Sequence, residues 1–136
     1  VVDQPDQSPT EFIRQTMPLC ATLGVRAGEV SAERVVLELD WAPELCTSGG
    51  LMHGGVLMVL ADSAGAACAF LNLPEGSAGT ATIESKTNFL SGVKEGTVTA
   101  TSHLLHKGSR TIVVETELHR YDGRLAAKVT QTQAVL

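Results

Sequence analysis

One carboxylate stands alone in the longest apolar segment of the chain. Met52 to Leu73 reads MHGGVLMVLADSAGAACAFLNL, and Asp62 is its only acidic or basic residue apart from His53. Asp is a poor helix former in mid-helix, and Asp62 lies too far from the helix start to cap it. Two readings follow. Asp62 is either a structural aspartate at a helix surface or seam, or a carboxylate in a low-polarity cleft, where it works as a base or nucleophile. Gly54 and Gly55 precede it by eight and seven positions, about two helical turns. At the start of that helix their N–H groups have no intrahelical partner and point out of its positive dipole end. Donors of this kind suit the oxygen charge that develops in acyl transfer. His53 is placed to orient the turn, its ring bonding backbone or a carboxylate.

Other chemistries find less support. No serine stands in a GxSxG context, and no GxGxxG follows a strand, so neither an α/β-hydrolase triad nor a dinucleotide fingerprint is present. His103 and His106 fall on opposite faces of an expected strand, which disfavours a shared metal ion. Cys20, Cys46 and Cys68 form no CxxC pair and are odd in number, so they read as small core fillers. The net charge is −5 with ten Lys and Arg in no run, which argues against generic nucleic-acid binding.

These residues need elements to hold them. With 136 residues and 43% apolar content, the chain fits one packed domain. The polar start, residues 1–9, reads as a loose arm. Ser8 and Pro9 open a short helix ended near Pro18, so that 1–20 forms an arm with a helix and 21–136 a single domain. Short strands are expected over Leu23–Ala27 and Glu33–Asp40, joined by a turn at Gly28–Glu29. The Trp41–Met52 loop holds Gly49 and Gly50, which signal unusual backbone angles or close approach. Pro74 ends the long helix. Strands follow over Gly79–Phe89, Gly96–His106, Arg110–Tyr121 and Arg124–Leu136, the last three as an antiparallel meander. Asp122–Gly123 is a type I′ turn signal. A helix apolar nearly all round must be enclosed, and the sheet encloses it by curling round it. The helix lacks basic flanks and contains Asp62, so it reads as a buried soluble helix rather than a membrane span. With no signal peptide visible, the cytoplasm is the expected location.

HGGVLMVLADSAGAACAF, followed by TATIESKTNFLSGVKEGTVTATSHLLHKGSRTIVVETELHRYDGRLAAKVTQ, resembles the hotdog-fold acyl-CoA thioesterases of the phenylacetate-degradation type. The resemblance runs from about Val25 to Gln133. It includes the HGG turn, an acid nine positions after the histidine, the apolar helix and the Asn88–Gly92 segment, all in order. It implies an α+β hotdog fold: a curled antiparallel β-sheet wrapped round one long central α-helix, forming dimers through sheet edges that pair again into tetramers. It implies hydrolysis of a small aromatic or short- to medium-chain acyl-CoA. No cofactor is called for, since coenzyme A is part of the substrate.

The resemblance also implies roles. Asp62 would be the nucleophile or general base, the Gly54 N–H would polarise the thioester carbonyl, Gly55 would shape the turn and His53 would buttress it. Each site would lie at a dimer interface, with the carboxylate from one subunit and the donor from the other. The family commonly has Asn or Gln fifteen positions before the acid, where this chain has Thr47, with Ser48 beside it. Thr82 falls near a position that bears a hydroxyl at the reaction centre. Asn88 and Phe89 would line the acyl tunnel, and Lys107 and Arg110 rank first for the phosphates of coenzyme A. The alternative is a non-catalytic acyl-CoA or acyl-carrier binding protein of the same fold, for which Thr47 is the best argument. Neither nucleic acid nor membrane is an expected partner.

Overall fold

The computed structural model describes residues 7–136; residues 1–6, most of the expected arm, lie outside the described residues. Ser8 starts α1 (Pro9–Thr16) with a capping box: its hydroxyl accepts the Glu11 N–H while the Glu11 carboxylate accepts the Ser8 N–H. α1 ends just before Pro18, as expected, but a second helix, not expected from the sequence, opens there. Proline fits the first position of a helix, and Pro18 opens α2 (Pro18–Leu23), which Gly24 closes at φ 80°. The first strand therefore begins later than expected, as β1 (Arg26–Val30), and pairs with β2 (Val35–Asp40). Their turn moves from Gly28–Glu29 to 31–34, where the Ser31 N–H bonds the Arg34 carbonyl. Ile13 and Cys20 reach the core with no exposure, so α1 and α2 cover one side of it.

The central helix α3 spans Gly54–Phe70. Leu57, Leu60, Ala61, Ala64 and Cys68 are buried against the sheet, each leucine contributing roughly 1.5–3 kcal/mol by leaving water. The alanines let helix and sheet approach closely. The enclosure expected from its all-round apolarity is partial: Gly55, Met58, Val59, Asp62, Ala66 and Phe70 form one stripe that the sheet leaves open. No helix among the described residues is long and apolar enough to cross a membrane.

Four strands follow: β3 (Thr80–Phe89), β4 (Thr97–Lys107), β5 (Thr111–His119) and β6 (Leu125–Val135). The sheet is antiparallel with order β1-β2-β4-β5-β6-β3. The meander of the last three strands is as expected, whereas β3 lies beyond β6 at the far edge. One inward row crosses the sheet from Leu37 through Ala100 and Leu118 to Ala127, all but fully buried. The β5–β6 turn is not type I′, which needs positive φ at both central residues. Among the described residues no non-glycine has positive φ; in this turn the Gly123 N–H bonds the Arg120 carbonyl and Gly123 is its one left-handed residue, at φ 84°.

Candidate active site

The loop before α3 is tied down on both sides. The Trp41 indole N–H donates to the Gly50 carbonyl, and Gly49 and Gly50 adopt φ 74° and 72°, so the expected backbone angles are present. The Met52 N–H bonds the Val93 carbonyl and the His53 N–H bonds the Leu45 carbonyl. His53 then caps α3, its Nδ1 accepting the Gly55 N–H at 2.8 Å. That bond leaves Nδ1 without a proton and consumes the Gly55 donor. The Gly54 N–H is different: no acceptor among the described residues takes it. It opens on a cavity of about 360 Å³ shared with Thr47, Leu51 and Phe89. The Phe89 ring is close, 3.0 Å from where a Cβ on Gly54 would stand.

Asp62 lies on the open stripe of α3, half-buried, in a cleft of about 430 Å³ with Gly55, Met58, Val59, Thr82 and Ser85. One oxygen, Oδ1, accepts the Thr82 hydroxyl at 2.8 Å and the Gln131 amide at 3.2 Å. Oδ2 has no partner among the described residues. A bulge in β3 between Thr82 and Glu84 shifts the register against β6. It reverses the alternation, so Thr82 and Ser85, three positions apart, both face the cleft.

Behind Asp62 stand two glutamines that no sequence motif singles out. Gln131 is 1% exposed and Gln133 not at all. Gln133 Nε2 donates to the Thr82 hydroxyl at 2.6 Å, and its Oε1 lies 3.1 Å from the Thr80 hydroxyl, which also reaches the Ala134 carbonyl at 2.8 Å. Gln131 Oε1 is buried without a partner among the described residues, a condition that costs about 1–3 kcal/mol. A signal for both existed: they continue the inward parity of Ala127 and Val129 along β6, so they are polar residues on an apolar face.

The remaining residues divide. Thr47 joins Gly54 and Phe89, while Ser48 is exposed in the next short helical turn and lines neither cavity. Asn88 accepts from Lys86 on the face of β3 opposite Phe89. Lys107 and Arg110 are exposed at the β4–β5 turn, away from both cavities. Other cations are better placed: Lys94, Arg120 and Arg124 line a cleft of about 510 Å³ that shares Leu51, Leu90, Ser91 and Gly92 with the Gly54 cavity. Arg120 is held there by Asp122, whose carboxyl it keeps below the usual range, and by the Gly92 carbonyl. Cys68 is no nucleophile, since burial pushes its thiol up to about 11.

Gly54 and Asp62 are eight residues apart on one helix, hence about 12 Å along its axis. A reacting carbonyl needs its attacking group and its oxygen donor each within about 3–3.5 Å. Within one chain the two groups are spaced more widely than that along the helix.

A model of the thioesterase superfamily matches residues 49–127, from the Gly49–Gly50 loop through α3 into β6. The chain is 30% identical over 135 residues to the "Putative esterase" of Saccharolobus solfataricus, across 99% of this chain and 95% of that one. It is 36% identical over 87 residues to the 1,4-dihydroxy-2-naphthoyl-CoA hydrolase of Escherichia coli, across 64% of this chain and 63% of that one. Among solved structures, a mutant thioesterase of Pseudomonas aeruginosa superposes with a TM-score of 0.86 at 27% identity, covering 96% of each chain.

Proposed function

The chain belongs to the thioesterase superfamily, and from that premise we propose that it is an acyl-CoA thioesterase of the phenylacetate-degradation type, hydrolysing its substrate to the free acid and coenzyme A. The observation that carries this reading is the pairing of two unoccupied groups on α3: Oδ2 of Asp62 and the N–H of Gly54. The thioester carbonyl oxygen takes the Gly54 N–H, which stabilises the charge that grows there. Oδ2 of Asp62 either removes a proton from the water that attacks the carbonyl carbon, or attacks that carbon itself to form a mixed anhydride that water then hydrolyses; in both routes the C–S bond breaks and coenzyme A leaves as the thiolate, which takes up a proton. His53 holds the turn through its bond to Gly55.

The eight-residue spacing along α3, about 12 Å of axial rise between the two backbone positions, supports a site built from two subunits, Asp62 from one and Gly54 from the other. The substrate is a small aromatic or short- to medium-chain acyl-CoA, as the apolar wall of Met58, Val59 and Phe89 favours. Lys94, Arg120 and Arg124 are the cations placed to meet the phosphates, ahead of Lys107 and Arg110.

A thiol-release assay over acyl-CoAs of varied length and aromaticity tests the proposal, with Asp62→Ala beside the wild type. Turnover on the best substrate should fall by about 10²–10⁴ in the variant, with the circular dichroism unchanged. Binding of acyl-CoA by the wild type with no thiol released from any of them would point to a binding protein instead.

A further inference from the structure

We propose that Gln131 and Gln133 are positioning residues for the hydrolysis described above: Gln131 fixes the Asp62 carboxylate directly, and Gln133 fixes it through Thr82. The inference rests on that reading of Asp62 for its catalytic consequence, while the contacts themselves stand on the structure.

Both carboxamides are buried on the inward face of β6, where Ala127 and Val129 show that hydrocarbon suffices for packing. Their hydrogen bonds have a direction. The Thr80 hydroxyl has one proton, shared between the Ala134 carbonyl at 2.8 Å and Gln133 Oε1 at 3.1 Å, while Gln133 Nε2 meets the Thr82 oxygen at 2.6 Å. The Thr82 oxygen thus already faces an N–H donor, so its single proton is directed to Oδ1 of Asp62. Gln131 is oriented by the carboxylate itself, since exchanging its oxygen and nitrogen would set oxygen against oxygen.

Helix and strand are both shaped to this contact. A Cβ on Gly65 would lie 2.1 Å from Gln131 Oε1 and 2.4 Å from its Cδ, so only glycine leaves the notch that the carboxamide fills. Gly in mid-helix weakens the helix, and Gln131 Oε1 gains no partner in that notch. Both sacrifices buy one thing, the placement of Nε2 against Asp62. The β3 bulge does the same for Thr82. Two donors on Oδ1 fix the plane of the carboxylate and leave Oδ2 as the reacting oxygen. Because Gln131 and Gln133 are buried, they do not touch substrate; their loss should lower kcat and spare KM.

The test measures kcat and KM for Thr82→Val, Thr82→Ser, Gln131→Leu and Gln133→Leu on the best acyl-CoA. Thr82→Val and Gln131→Leu should each lower kcat about 10- to 100-fold, with KM held within about twofold. Thr82→Ser, which keeps the hydroxyl, should stay within about threefold of wild type. The Thr82→Val/Gln131→Leu pair should lose less than the product of the single losses, because both act on one carboxylate. In ¹H–¹⁵N spectra the Gln131 side-chain amide should move in Asp62→Ala; this arm needs no turnover. Should Gln131→Leu not fold, Thr82→Val on the exposed edge strand decides the kinetic arm. A folded Thr82→Val with unchanged kcat, or a Gln131 amide that ignores Asp62→Ala, overturns the proposal. A wild type that cleaves no acyl-CoA refutes the thioesterase reading instead, and the spectra still decide the contact.

Discussion

Gly54 offers a donor that one substitution deletes without disturbing the helix. It occupies the first position of α3, where proline is favoured because the missing N–H has no intrahelical partner. His53, at φ −61° and ψ 133°, already has the extended backbone that a residue before proline requires. Gly54→Pro should therefore keep the fold and lower kcat by about 10²–10³, the effect of removing one oxyanion donor. Gly54→Ala is the control: it keeps the N–H, and its Cβ presses only on Phe89, whose ring is 52% exposed and free to yield. Equal activity in Gly54→Pro and wild type would remove Gly54 from the mechanism. Asp62 and Gly54 stand out in the sequence as candidates because each breaks a local rule: a charge in an apolar run, and glycines where a helix begins. Gln131 and Gln133 do not, since polar residues alternating along VTQTQ look like a solvated face until parity is counted from Val129.

At the scale of the element, α3 is where sequence reading succeeded best and where burial has a measurable pH consequence. Cys68 is fully buried on its sheet-facing side, and desolvation raises its thiol from the ordinary 9.0 to about 11. The sign follows from proton linkage. Above pH 9 the unfolded chain releases this proton while the folded protein keeps it, so unfolding is increasingly favoured. The stability contributed by the group is complete below pH 9 and lost as pH rises toward 11. Between pH 8 and pH 10 the unfolding free energy should fall by about 1.3 kcal/mol more in wild type than in Cys68→Ala, read from urea titrations. Parallel curves for the two proteins would contradict the burial argument. The helix and the three-strand meander were legible because their apolar periods are long and regular. The α2 helix was not, because Pro18 reads equally as a stop or a start. The bulge at Thr82 was not, because TATIESKTNF has no clean alternation to break.

For the whole molecule, the sheet order places β3 at an edge, with Ile83 62% exposed and Phe89 lining the Gly54 cavity. Composition and period cannot reveal that order, because it is set by which strands find one another after the helix is covered. An edge strand leaves unpaired N–H and C=O groups that invite pairing, and a site shared between two subunits, as proposed above, would give that pairing a chemical purpose. Subunit mixing tests this directly. Asp62→Ala and Gly54→Pro homodimers should each be nearly inactive. In a two-fold dimer with shared sites, a mixed dimer combines both defects in one site and none in the other. Unfolding and refolding equal amounts together makes half of the dimers mixed, so activity should return to about a quarter of wild type. If Asp62 and Gly54 of the same chain served one site, every site in the mixture would still carry one defect, and no activity would return. Recovery thus distinguishes a seam that completes the site from one that merely covers a sheet edge.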